Sequence, residues 1–280
     1  MKISTSIDCL RGYGDLKSVL SLLKASGFDC YDYTMEGIWG KPLDVVLQDG
    51  SLEKAKEIRA LADSVGIECN QTHAPFPSFI VGDDAYNEKM SVALRRAVEV
   101  SGILGAKNCA VHPAVNVGSG ANIVFFKRLE DISRKTGVRI ALENLYGCDL
   151  DGNIVSCNVS TANGLKECLA GLSEDCFGIC LDVGHAEVVG ESAAEMIREL
   201  KDKMIAIHLH DVDLVHDNHA LPFTEKVDFA PIIQALRDID YKGDVTLEVV
   251  LPKGMQKQFV PVFVKRMAET AYYFRNQIME

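Results

Sequence analysis

The sequence predicts an α/β chain folded as a (β/α)8 TIM barrel, one domain over residues 1–280. Three observations carry that reading. Short apolar runs alternate with longer helical patterns from end to end, which calls for parallel strands joined by crossover helices. The alternation repeats eight times, the number that closes a barrel. No linker, low-complexity segment or charge block interrupts the 280 residues, a length such barrels commonly fill as one domain. An open doubly wound sheet is the alternative. It is weakened because no glycine-rich phosphate fingerprint follows the first strand.

In chain order, strands are expected near 2–7, 28–34, 67–72, 107–112, 138–143, 176–182, 204–209 and 244–249. Helices are expected near 14–26, 51–65, 84–104, 119–136, 160–172, 191–202, 228–240 and 256–278. The second helix shows why: Leu52, Ala55, Ile58, Leu61 and Val65 recur with a 3.6-residue period. Ser51 suits its N-cap and Gly66 its stop, and Gly27, Gly137 and Gly243 punctuate other helix ends.

Composition narrows the function. Hydrophobic residues make up 48%, enough for a full core. Lys+Arg total 29 against 40 Asp+Glu, a net charge of -11, which repels phosphate backbones and argues against nucleic acid. The nine cysteines form no C-x-x-C pair and are odd in number; they are read as small core residues of a reduced, cytoplasmic protein. The opening "MKISTSIDCL" lacks the apolar run of a signal peptide. No run approaches the roughly eighteen apolar residues of a membrane span.

Strand parity then locates a site. In "VRIALEN", Val138, Ile140 and Leu142 suit the helix side, which turns Ala141 and Glu143 inward. The same reading turns Cys180 and Asp182, Ala206 and His208, Thr246 and Glu248, and Ala110 and His112 inward. Five times, a small residue precedes an acid or a histidine by two positions. Glu143, Asp182, His208, Glu248 and His112 therefore share one layer at the C-terminal mouth, where active sites of this fold sit. Converging carboxylates repel, and burying them unpaired is costly. A divalent cation removes both problems, and oxygen and imidazole donors without cysteine suit Mn²⁺, Zn²⁺, Co²⁺, Mg²⁺ or Fe²⁺. Polar residues that merely cap the barrel are the plainer reading, less economical for five at matched depth. The stretch "HLHDVDLVHDNH", residues 208–219, holds four of the seven histidines. Only His208 has the small residue two positions before it, so it is the expected ligand, with His210 a layer higher at the rim.

The motifs "THAPF", "VHP", "LENL", "LDVGH", "IHLHD", "DNHALP" and "LEV" follow one another as in the xylose isomerase-like barrel superfamily. The sequence resembles that group from about the third strand to the eighth. Its members include sugar epimerases, inositol-catabolism isomerases and dehydratases, and endonuclease IV-type DNA repair enzymes. Resemblance to the sugar-handling members implies one metal held by Glu143, Asp182, His208 and Glu248. His185 would then touch a substrate oxygen or orient a ligand. Resemblance to the repair enzymes implies a fuller set for three zinc ions, adding His73, His112, His185, Asp217 and His219. Three features favour the sugar branch. "APFPSF" after His73 lacks the Tyr and Asn usual in the repair enzymes, His210 stands where they usually have Asn, and the early loops offer mainly Arg11 and Lys41 as cations. The stretch "LPFTEKVDF" lacks the glycines common to both branches, which leaves the loop at 221–227 without a pattern to follow.

The implied chemistry is metal-assisted isomerisation or epimerisation of a ketose or cyclic hydroxyketone. Glu143 and Glu248 are the acid/base pair, working through an enediolate, with a hydride shift or dehydration as variants. Trp39, His73, Phe76, His112 and His210 are candidates to wall the pocket, and a scarcity of Lys and Arg at the mouth favours an unphosphorylated sugar or polyol. Trp39, Phe76 and Phe79 could equally pack loops onto the barrel. The final helix carries Phe259, Val262, Phe263, Met267, Tyr272, Tyr273 and Phe274; some of these must pack on the barrel, and any excess could serve a homodimer face, which nothing in the sequence requires.

Overall fold

Side chains that the alternation assigns to the helix side are buried: Ile140, Leu142, Ile179, Leu181, Ile207, Leu209, Val245 and Leu247 are at most 0% exposed. They face helices across a sheet that the computed structural model traces within its described residues, 1–10, 12–35 and 46–280. The eight barrel strands are β1 (Ile3–Thr5), β2 (Cys30–Thr34), β3 (Glu68–His73), β4 (Asn108–Val111), β5 (Arg139–Glu143), β8 (Phe177–Asp182), β9 (Met204–Leu209) and β10 (Val245–Leu247). The remaining pair, β6 (Gly147–Cys148) and β7 (Ile154–Val155), forms an antiparallel hairpin after β5 that the alternation did not announce.

The barrel strands pair in parallel in the order β1-β10-β9-β8-β5-β4-β3-β2. A parallel bridge from Ser6 to Asp32, with Ile7 N donating to Asp32 O at 3.1 Å, joins β1 to β2 and closes the ring. The helices are α1 (Leu16–Ser26), α2 (Ser51–Val65), α3 (Asp84–Leu104), α4 (Ser119–Lys127), α5 (Glu130–Thr136), α6 (Ala162–Leu169), α7 (Val183–Val188), α8 (Ala193–Leu200), α9 (Phe229–Asp238) and α10 (Val260–Met279).

Several local expectations change. Ser51 is the first residue of α2 rather than its cap; its buried hydroxyl accepts from Arg96 at 3.0 Å, and Gly50 takes the cap position. Gly66 ends α2 as expected, with φ 75°. Gly243 does not end a helix, since α9 stops at Asp238. A Cβ at Gly243 would fall 2.2 Å from the Tyr241 hydroxyl, so glycine there serves close packing. The single helix expected over 119–136 is two, because Arg128 N and Leu129 N donate to Phe125 O and Phe126 O, three residues back. That tightened turn lets both Phe126 and Leu129 reach the core.

Inside the ring, Ala110, Ala141, Cys180 and Ala206 form a small cluster of their own. These are the small inward residues of the alternation. They leave space for bulky polar side chains one layer above.

On the outside, α10 packs by Val264, Met267, Ala271 and Phe274, while Phe259, Val262 and Tyr273 stay exposed. The Phe274 ring lies 5.2 Å from both Phe223 and Phe229, tying α10 to α9 and to the loop before it. Phe274→Ala is expected to destabilise the fold by about 3–5 kcal/mol through the cavity it leaves. The urea midpoint should fall at unchanged slope. A loss below about 1 kcal/mol would show that the aromatic cluster does not pin the helix.

Candidate metal centre

Four strand ends deliver the central group. Glu143 closes β5, Asp182 closes β8, His208 lies in β9, and Glu248 follows β10. One ligand atom from each lies within 4.8 Å of the others. Nδ1 of His208 sits 2.9 Å from Glu143 Oε1, 3.0 Å from Glu248 Oε2 and 3.9 Å from Asp182 Oδ2. Burial pushes the Glu143 carboxyl up, but the His208 and His112 imidazoles outweigh it and hold it well below its usual range. Glu248 is likewise held low against burial, chiefly by His208. Burial opposes charge on His208, yet the surrounding thiol and carboxylates raise its pKa well above the usual value. Three carboxylates thus converge on one imidazole, an arrangement with room for a cation to take over the neutralisation.

Two further groups flank the quartet. His73, at the end of β3, and His112, just past β4, bring their Nε2 atoms to 3.3 Å from each other and to 3.2 and 3.6 Å from Glu143 Oε2. That oxygen is buried with no hydrogen-bond donor among the described residues. On the other side, Asp217 lies between His185 Nε2 at 3.3 Å and His219 Nε2 at 3.2 Å, and accepts from the Tyr146 hydroxyl at 2.9 Å.

The histidines are aimed by backbone carbonyls. Nδ1 of His73 lies 2.7 Å from Ala74 O, that of His185 2.9 Å from Asn144 O, and that of His219 2.8 Å from Glu248 O. An N–H donated there fixes each ring with its Nε2 turned inward, the way metal-binding imidazoles are commonly oriented. His73 Nε2 and His112 Nε2 face one another beside Glu143 Oε2.

The parity argument missed four supporting residues. Asn144 exchanges two hydrogen bonds with the backbone of Asp182, at 2.8 and 2.7 Å, extending the β5–β8 pairing past the strand ends. Beneath His208, the Gln71 amide reaches its Nε2 and donates to Asp32 at 2.8 Å. Extending the same alternation to "CYDYT" and "NQTH" would have turned Asp32 and Gln71 inward. The fourth is Asp211, wholly buried just past β9. Its carboxylate accepts from the backbone N–H groups of Thr224, Glu225 and Val227 at 2.9–3.0 Å and so folds the loop at 221–227.

Three expectations shift. Trp39 lies outside the described residues, as do Arg11 and Lys41. His210 is not at the rim: it is 0% exposed, bound to Asp182 and covered by the His219 ring. Phe79 packs on Phe125, away from the cavity, whereas Phe76 lies edge-on to His73 and 4.9 Å from His112. The cavity above the quartet measures about 210 Å³ and is lined by Ser6, Cys9, Phe76, Tyr146, His185 and Glu248 among others, with no Lys or Arg among the described lining residues. Glu248 reaches it, while Glu143 is wholly buried behind the histidines.

Two outcomes follow. Asp211→Ala should cost about 2 kcal/mol or more by orphaning buried N–H groups. Hydrogen exchange should speed up first at 221–227, and unchanged protection there would refute the anchoring role. The second outcome concerns pH. Burial lowers the His219 pKa, but the hydrogen bond to Asp217 and nearby carboxylates lift it to about 9. In protein stripped of cations, folded His219 keeps its proton to about pH 9, whereas the unfolded residue loses it near 6.5. Stability from this contact is complete below pH 6.5 and lost as pH rises to 9, on the order of 3 kcal/mol in all. Denaturation midpoints measured at pH 6 and pH 9 with chelator should differ in that direction, and His219→Gln should flatten the difference.

Comparison with known proteins agrees with this architecture. The chain is 22% identical over 295 residues to the uncharacterized protein y4fM of Sinorhizobium fredii, covering 93% of this chain and 86% of that one. Among solved structures, a D-tagatose 3-epimerase-like protein superposes with a TM-score of 0.74 at 20% identity, over 100% of both chains. The IOLI protein with a zinc atom superposes with a TM-score of 0.73 at 20% identity, over 99% of this chain and 98% of that one. The family described as xylose isomerase-like TIM barrel matches residues 20–260, and the chain belongs to that family.

Proposed function

We propose that this protein is a divalent-metal-dependent isomerase or epimerase that acts on an unphosphorylated ketose or cyclic hydroxyketone. The observation that carries this reading is the quartet of Glu143, Asp182, His208 and Glu248 beneath a small cavity with no cationic side chain among its described lining residues. The donor set of three carboxylates and one imidazole fits Mn²⁺, Zn²⁺, Co²⁺ or Mg²⁺, and the donor-free Oε2 of Glu143 is what a cation would satisfy. Structural neighbours support the class: they include a D-tagatose 3-epimerase-like protein, a D-psicose 3-epimerase and an L-ribulose 3-epimerase.

Bound there, a divalent cation would polarise a substrate carbonyl and acidify the adjacent C–H. The protein does the rest. Glu248, the carboxylate that reaches the cavity, takes or returns the proton on carbon. Glu143, buried beside His208 beneath the cavity, is its proposed partner for the other face or the neighbouring carbon. His185 lines the same cavity, its ring fixed by Asn144, and contacts a substrate oxygen. Phe76 and Tyr146 form part of the apolar wall that limits water around the reacting carbons.

A second reading has its own observation. The His73–His112–Glu143 and His185–Asp217–His219 groups would let the site hold three ions, as a zinc phosphoesterase acting on abasic DNA requires. The net charge of -11 weighs against a DNA substrate. A dehydratase would use the same quartet with loss of a β-hydroxyl.

Unphosphorylated ketoses and inosose-like compounds screened in D₂O with Mn²⁺ should take up carbon-bound deuterium by NMR. Isomerised product without deuterium indicates a hydride shift, and loss of water a dehydratase. Glu248→Gln should keep its metal and lose turnover by about 100-fold or more. Normal turnover in that variant refutes the assigned role. Incision of an abasic duplex at low salt by zinc-loaded protein, with inert sugars, would select the second reading.

A further inference from the structure

His210 is the one histidine of the mouth whose ring hydrogen-bonds to Asp182 of the quartet while it also lies among His185, Asp217 and His219. It follows β9 by one residue, two positions beyond His208. Its Nε2 lies 2.9 and 3.1 Å from the two oxygens of Asp182. Its Nδ1 is buried and has no hydrogen-bond partner, so the ring proton belongs on Nε2, donated to Asp182. On its other side the ring stacks on His219, centroids 3.9 Å apart and planes within 11°.

The ring stands in a socket that the sequence makes on purpose. A Cβ on Gly184 would fall 2.0 Å from His210 Cε1 and 2.5 Å from both ring nitrogens. Any larger residue in "LDVGH" would push the imidazole out. Gly184 follows Asp182 by two residues, so the same turn that presents the carboxylate also clears the space for its hydrogen-bond donor. Asp182 Oδ1 also accepts from His185 N at 2.6 Å. His210 Nε2 thus spans both carboxylate oxygens while His185 N–H is confined to Oδ1, and Oδ2 lies 3.9 Å from His208 Nδ1.

We infer that His210 is a positioning residue: seated over Gly184, it orients Asp182 for the cation of the quartet and spaces His219 from that cation by stacking. The inference rests on the metal-binding reading proposed above. It predicts that the N–H donor and the flat ring do separable work. His210→Gln keeps a donor near the Nε2 position and loses the stack. His210→Phe keeps the stack and loses the donor. Gly184→Ala leaves the imidazole intact and denies it the socket.

The test is zinc and Mn²⁺ binding to the full-length protein by competition with a chromophoric chelator, with near-UV circular dichroism reporting the fold. The equivalent abolished by Asp182→Ala marks the quartet. For that equivalent, His210→Phe and Gly184→Ala should weaken binding 10- to 100-fold, the usual effect of removing a hydrogen-bond partner from a metal ligand. His210→Gln should recover most of the loss. Wild-type affinity in His210→Phe, or equal loss in the Gln and Phe variants, overturns the inference while leaving the metal site standing. Absence of any metal in the wild type overturns both. Should His210→Phe fail to fold, Gly184→Ala against His210→Gln makes the same decision.

Discussion

Three carboxylates carried by three different strands meet at Nδ1 of a single buried imidazole, His208, and much of the barrel mouth is arranged around that meeting. Like charges brought this close inside a protein repel strongly and lose their water. They persist here because each has a partner. The Asp182 carboxylate accepts from His185 N–H and His210, and Glu143 and Glu248 each lie against the His208 imidazole. Only a closed ring of short strands can supply so many partners from all directions at one depth.

The layer below makes this possible. Ala110, Ala141, Cys180 and Ala206 occupy little volume, so the polar side chains above can lean inward and meet. Asp32 and Gln71 fill the remaining side beneath His208 with hydrogen-bonding groups in place of hydrocarbon. The imidazole is therefore surrounded by polar groups on both nitrogens while the outer faces of the same strands pack in a continuous apolar shell. Alternation of side chains along a strand separates the two environments over a single residue.

The flanking histidines illustrate a second economy. Their Nδ1 atoms face carbonyls that the barrel has left unpaired where the strands end, so the same backbone groups terminate the sheet and set the rings. The loop carrying Asp217 and His219 is closed by an antiparallel bridge between Asp211 and Ala220, and the stretch that follows it needs a further anchor. The buried Asp211 side chain takes that part, gathering backbone N–H groups from 221–227.

The sequence by itself determined the barrel, its eight strands and the direction of side chains on the five strands read for parity, which brings Glu143, Asp182, His208 and Glu248 to one layer. These follow from period-two alternation, which is a local property and survives whatever the loops do. It also contained Asp32 and Gln71, by the same rule applied to two more strands. Tertiary structure alone decided the rest. Whether His210 stood at the rim or beneath His219 depended on the empty socket at Gly184, a contact between two separate βα turns. The course of 221–227 depended on Asp211, which sits ten or more residues away and acts through backbone groups that no side-chain pattern records. Helix 119–136 broke because Phe126 and Leu129 both found core positions, and that too is a matter of neighbours rather than of period.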